Sequence, residues 1–167
     1  WVPKTHEVLR FHVRVEDGSG FWAEKDLYPW FFEVPHSDVV FATNESKVRK
    51  SEQHKLVEAW ALIQETVSRY SAVAPVNLFI GGYTDTVGGK ASNQKLSEAR
   101  AQILASWFKD QGFTGEIWYQ GFGEEGQALL TGDEVDEEAN RRALYIVAAD
   151  PPPRTRSTPK SAWKRLK

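Results

Sequence analysis

The 167-residue sequence contains no cysteine and no methionine. Without a thiol there is no disulfide-stapled fold, no cysteine nucleophile, no cysteine-ligated zinc and no iron–sulfur cluster. Because the first residue is not methionine, the chain is expected to be a processed product or a piece of a longer protein, with any signal peptide or lipid anchor outside it. Long apolar runs are also missing. The longest, residues 59–63 and 143–149, fall far short of the roughly 18 residues that suggest a membrane-spanning helix. The four histidines at positions 6, 12, 36 and 54 lack zinc-like spacing and are expected at the surface or in a sheet. What is present, 41% hydrophobic and 26% charged residues, suffices for one core and is too apolar for a mainly disordered chain.

The formal net charge of −2 hides a segregation. From position 151 onward there are six basic residues (Arg154, Arg156, Lys160, Lys164, Arg165, Lys167) and no acid, which leaves residues 1–150 with 15 basic and 23 acidic residues, a net −8. An acidic body argues against a nucleic-acid-binding face. The tail opens with three prolines and has no hydrophobic period, so it is expected to be a flexible extension.

Along the body, Leu9, Phe11, Val13 and Val15 alternate with Arg10, His12 and Arg14, the period of a half-buried strand. Residues 16–20 read as a turn, and Pro29 makes the aromatic stretch 28–32 an edge or a connection. A short strand is predicted over 38–42. Over 47–70 the residues Leu56, Trp60, Ile63, Val67 and Tyr70 mark one face of a helix. Strand 76–83, helix 93–111 with Ser92 as N-cap and Gly112 just beyond its end, and strands 117–120 and 143–147 follow. This order predicts an α/β two-layer sandwich, helices on one face of a mixed sheet, with an extra N-terminal β segment. The domain division expected is 1–35, 36–150 and 151–167.

One residue breaks the pattern. In the second helix Leu96, Ile103 and Trp107 mark the inward stripe, and Arg100 falls inside it. A buried guanidinium costs several kcal/mol unless partners compensate it. The nearest candidate partner is Asp85, just after strand 76–83, at the kind of strand end where open α/β sheets build ligand sites. Asn93 lies about two turns before Arg100 on the same face. Two readings stand side by side. Asp85 and Arg100 form a structural ion pair, or they flank a cleft in which Arg100 grips a carboxylate and Asp85 accepts from an ammonium.

The same residues carry a resemblance. Gly82-Tyr83-Thr84-Asp85-Thr86-Val87-Gly88, Asn93-Gln94-Lys95-Leu96-Ser97-Glu98-Ala99-Arg100-Ala101, Gly121-Phe122-Gly123-Glu124 and Asn140-Arg141-Arg142, with Val40-Phe41-Ala42-Thr43-Asn44 upstream, resemble the signature of the OmpA-like C-terminal domain, the family of OmpA, Pal and MotB peptidoglycan-binding domains. The resemblance covers residues 36–149. It implies non-catalytic, non-covalent binding of peptidoglycan through the diaminopimelate of the stem peptide, whose free amino acid centre is a zwitterion. Asp85 and Arg100 match the family's Asp and Arg, and Asn93 and Asn44 match its asparagines. Thr86 and Val87 would contribute backbone groups, and Arg141 would support Asp85 or the fold. No cofactor and no metal are implied. The resemblance also implies a periplasmic, outer-membrane-associated location in a Gram-negative envelope, tethering a complex to the wall. Other envelope proteins are possible partners of residues 1–35 or the basic tail; nucleic acid is not. With no cysteine to lipidate, the anchor is expected upstream or on a partner.

There are departures from the family pattern. No proline occurs near Gln127, Asp136-Glu137-Glu138 stands where a basic residue is usual, and Ala143 replaces a valine. They open a second reading, a structural or interaction module of an envelope assembly with weak or no wall binding. Three decoys are set aside. The glycines 121, 123 and 126 mimic a dinucleotide loop, but Glu124 and Glu125 would repel a pyrophosphate. Ser92 and Lys95 have the spacing of a serine acyl-enzyme without its companion motifs. The acidic stretch 133–138 lacks a calcium-loop pattern. Trp60 and Trp107 are expected in the core, and Trp163 in the disordered tail.

Overall fold

Apolar residues in 78–80 and 143–149 run without alternation, the pattern of strands buried on both faces. They form the two central strands. The computed structural model describes residues 8–42 and 45–167. Its elements are β1 (Phe11–Glu16), β2 (Trp22–Leu27), β3 (Phe31–Glu33), α1 (Gln53–Tyr70), β4 (Asn77–Gly82), α2 (Lys90–Asp110), β5 (Ile117–Gly121), β6 (Ala143–Ala148) and β7 (Lys164–Arg165), with short 3-10 turns at Lys50–Glu52 and Glu138–Asn140. The main sheet has the order β3-β6-β4-β5-β7. Only β4 and β5 are parallel, Gly82 standing beside Gly121, and α2 supplies the crossover that a parallel pair requires.

The period of two sorts the strands cleanly. Leu78, Ile80, Ile117, Tyr145 and Val147 face the helices, where they pack with Leu56, Ala59, Ile63, Leu104 and Phe108. Phe79, Leu144, Ile146 and Ala148 face the other way. The two-layer α/β architecture is as predicted, with both helices on one face and the N-terminal β segment present.

The second face overturns the expectation for the tail. Instead of floating free, the tail crosses that face, and β7 pairs antiparallel with β5 through Trp118–Arg165 and Tyr119–Lys164. Trp163 meets Phe79 and Phe122 edge-on, with ring centroids 5.4 and 5.8 Å apart. Thr158 is buried, Ala162 N donates to Gln120 Oε1 at 2.9 Å, and the Tyr83 hydroxyl donates to the Ser157 carbonyl. The physical reason is the apolar face itself, which needs a cover whether or not the covering segment has a periodic pattern of its own.

Other expectations also change. β1 and β2 form a separate two-stranded hairpin whose apolar side chains, Phe11, Val13, Val15 and Leu27, are exposed rather than half-buried. The turn between the strands is as expected: Asp17 Oδ1 accepts from Ser19 N and Phe21 N at 2.8 and 3.0 Å. The edge predicted around Pro29 is β3, paired with β6. The strand predicted over 38–42 forms no ladder, because β3 occupies the outer edge of β6 and Val34 N continues that pairing to Tyr145 O. Val39 and Phe41 are still buried. α2 starts three residues earlier than predicted, with Gly89 at its N-cap, which puts Ser92 within its first turn instead of at the cap.

Candidate binding site at the end of the central strand

The register of α2 against the sheet is set by glycine. A Cβ on Gly82 would lie 2.2 Å from the Ser97 carbonyl oxygen, and one on Gly121 would lie 2.4 Å from Glu98 N. Two adjacent strand glycines therefore let the helix backbone descend onto the sheet at the carboxyl end of β4. Ser97 completes the seam: its Oγ accepts from Gly123 N at 2.8 Å and donates to Gln94 O at 3.0 Å. The buried stripe is Asn93, Ser97, Arg100, Ala101, Leu104, Ala105 and Phe108. It lies beside the stripe predicted from Leu96, Ile103 and Trp107, and Ile103 is exposed. Arg100 belongs to the true stripe and is 1% exposed.

Arg100 and Asp85 do not pair with each other among the described residues. Arg100 donates to three backbone carbonyls: Nε to Glu45 O at 3.0 Å, Nη2 to Ala42 O at 3.1 Å and Nη1 to Tyr83 O at 3.5 Å. Its guanidinium also lies 4.9 Å from the Phe41 ring centroid, a cation–π contact. Burial pulls its pKa down to about 10, against the opposing charge of Asp85, so it remains a cation at neutral pH.

Asp85 is claimed instead by Arg141, whose Nη1 donates to Asp85 Oδ2 at 2.7 Å and also meets Asp136 Oδ1. Burial works against the Arg141 charge, but its hydrogen bonds to Asp85 and Asp136 outweigh this and hold it above the usual arginine range. Arg141 thus stands in the supporting position, and Asp136 shares its nitrogen.

The remaining predicted residues distribute as follows. Asn93 is buried, and its Nδ2 makes long contacts to Asp85 O and Gly88 O at 3.5 Å and to Glu124 Oε2 at 3.3 Å. The Thr86 hydroxyl donates to Gly132 O at 2.8 Å and accepts from Val135 N at 3.0 Å. It ties the loop after β4 to the acidic loop and leaves no free hydroxyl for a ligand. Val87 is exposed. Asn44 lies outside the described residues. Sequence reasoning missed Asp136, Glu124 and Ser97: Ser97 and Glu124 act on segments far away in the chain, and the contact of Asp136 with Arg141 is local but lies where no periodic pattern marks it. The Gly82 and Gly121 pair was visible as letters but not as a packing seam.

Comparison with known proteins follows this geometry. The OmpA family model matches residues 40–143. The chain belongs to the OmpA family. This OmpA-family chain is 34% identical over 115 residues to outer membrane protein P5 of Haemophilus influenzae, covering 68% of this chain and 30% of that protein. It is 33% identical over 109 residues to outer membrane protein A of Shimwellia blattae, covering 65% of this chain and 42% of that protein. It therefore spans less than half the length of these relatives. Among solved structures, the fold is similar to the peptidoglycan-associated lipoprotein from Burkholderia pseudomallei, with TM-score 0.53, 22% identity, and coverage of 66% of this chain and 88% of that one. It is also similar to the cell wall anchor of the T6SS from Pseudomonas aeruginosa, with TM-score 0.52, 22% identity, and coverage of 66% and 76%. The family is a non-catalytic one. Among the described residues, no group of three His, Asp or Glu side chains is placed to hold a metal ion.

Proposed function

We propose that this domain binds peptidoglycan non-covalently through the diaminopimelate of the stem peptide and tethers an envelope protein to the wall in the periplasm. The observation that carries this reading is the unpaired arrangement of Arg100 and Asp85. A purely structural ion pair would bring the two together; here each is held by other groups at the same strand end. A guanidinium fork and a carboxylate oriented separately suit the two ends of a zwitterion. In this reading Arg100 takes the ligand carboxylate and Asp85 its ammonium, with Arg141 steadying Asp85. Asn93, Asn44 and the backbone of Thr86 and Val87 complete the contacts.

The test is calorimetric titration of a diaminopimelate-containing stem peptide into wild type, Asp85→Ala and Arg100→Ala, with folding checked by circular dichroism. Each substitution is expected to weaken binding by roughly 30-fold or more, the value of a charge-assisted hydrogen bond. Equal affinity in all three folded proteins would overturn the proposal.

A second reading, an envelope interaction module with weak wall binding, has its own observation. Asp136, at a position where the family pattern is basic, meets the same Arg141 nitrogen as Asp85. Failure of the wild-type domain to co-sediment with purified sacculi, while Asp136→Arg does so, would favour it.

A further inference from the structure

Away from Asp85 and Arg100, buried polar atoms without partners gather around one cavity. It measures about 400 Å³, and its lining includes Glu33, His36, Asp38 and Arg142, where the chain leaves β3 and enters β6. His36 Nε2 and Arg142 Nε are buried with no hydrogen-bond partner, as is the hydroxyl of Tyr145, on whose ring His36 rests at 4.2 Å between centroids. The His36 side chain is 7% exposed and lies in the connection after β3, whereas the sequence places it at the surface or in a sheet.

The hydrogen bonding of His36 defines what is missing. Its Nδ1 lies 2.7 Å from the Val34 carbonyl oxygen. A carbonyl only accepts, so Nδ1 carries a proton and, in the neutral ring, Nε2 presents a lone pair. That lone pair faces Asp38 Oδ1 at 3.7 Å. Two acceptors oppose each other, and the gap is too long for a hydrogen bond even when the ring is protonated.

Neighbouring cations do not fill the gap. Lys55 donates to the Asp38 backbone carbonyl and to the Glu52 carboxylate, both at 2.8 Å. Arg142 donates through Nη2 to Gly126 O at 3.0 Å and lies 4.1 Å from the Tyr83 ring centroid. Burial raises the Asp38 carboxyl above its ordinary range, although His36, Arg142 and Lys55 act in the other direction. The Asp38 side chain is still 47% exposed, so the carboxylate faces the open mouth of the cavity. Glu33 adds a second acid to the lining.

We propose that this cavity is a binding site for a primary ammonium group, seated at about 2.8 Å from both His36 Nε2 and Asp38 Oδ1. An ammonium has three donors and no acceptor, so it satisfies both atoms at once. The proposal does not use the residues of the wall-binding reading: none of Glu33, His36 and Asp38 is among them, although Arg142 of the lining lies within the segment matched by the family.

The test is an NMR titration of the full chain at about pH 7.5, above the ordinary imidazole pKa, with ethanolamine as the ammonium probe and N-acetylethanolamine as its uncharged counterpart. Saturable shifts of the Val34, Ala143 and Leu144 amides are expected with ethanolamine, in the millimolar range usual for so small a ligand. Little response is expected to the acetylated compound. His36→Phe, which keeps the ring stacking, and Asp38→Asn should each weaken binding about tenfold or more. Asp85→Asn should leave it unchanged, which separates this site from the first. Absence of saturation up to about 100 mM, an equal response to both probes, or full affinity in folded His36→Phe and Asp38→Asn would overturn the proposal. If neither variant folds, the comparison of the two probes on wild type decides.

Discussion

Arg100 is as inaccessible as the leucines around it, yet three main-chain carbonyls surround its guanidinium. Helical periodicity places it on an inward stripe through Leu96 and Ile103; that stripe lies beside the true one, since Ile103 is exposed, but Arg100 belongs to the true stripe. Its partners could not be read, because they come from the segment before α1 and from Tyr83, just beyond β4. Periodicity says which way a side chain points and nothing about which chain segment meets it.

The same holds for Glu52. Its carboxylate accepts from Lys55 Nζ at 2.8 Å and from Val40 N at 2.9 Å. These two bonds, the lysine first, hold it below the ordinary carboxylate range. A depressed folded-state pKa stabilises the fold above the unfolded value, and that contribution is lost as pH falls through the folded value. Wild type should therefore lose stability more steeply than Glu52→Gln below about pH 4.5. In urea denaturation the variant should be the less stable protein at pH 7, and the difference should shrink as pH falls below the ordinary carboxylate range. Parallel curves from pH 7 into the acid range would refute the assignment.

At the scale of elements, most of the main sheet and both helices were legible because the helices carry a helical period and the central strands an unbroken apolar run. The ends were not. β7 is two residues long, and nothing local in 151–167 announces a strand. Its position depends on the apolar face of β4 and β6, which the unalternating runs in those strands already required something to cover. Trp163 is the main anchor of that cover, against Phe79 and Phe122. Trp163→Ala should cost about 2–3 kcal/mol in urea denaturation, the lower range for removing a large aromatic, since Trp163 is only partly buried. Lys160→Ala breaks an exposed pair with Glu125 and should cost no more than about 0.5 kcal/mol. Equal costs would mean that charge, not the indole, holds the tail.

For the whole molecule, the charge segregation acquires a structural meaning. Lys160, Lys164 and Arg165 of the tail pair with Glu125, Glu98 and Glu116 of the acidic body. The basic tail is thus the body's own counterpart and lies against it. By contrast, the hairpin β1–β2 pairs only within itself in the sheet order, and an isolated two-stranded hairpin is marginally stable. Hydrogen exchange should therefore be fastest in β1 and β2 and slowest in β4 and β6, where both faces are buried. β7 should exchange well before β4. Protection of the hairpin equal to that of β4 would refute this ordering.

Composition and periodicity were sufficient for the α/β class, the helix-covered sheet and the presence of a buried cation on α2, because these depend on which residues face inward along a single element. The family blocks around Asp85 and Arg100 were equally visible as letters. Only the tertiary structure decided that Arg141, not Arg100, pairs with Asp85, that the tail closes the second face, and that His36 and Asp38 oppose each other at a cavity. The first two are contacts between segments distant in the chain, and the third depends on how the segment after β3 is laid against β6. Such contacts are selected by the packing of the whole molecule, and no local pattern encodes which of several possible partners arrives.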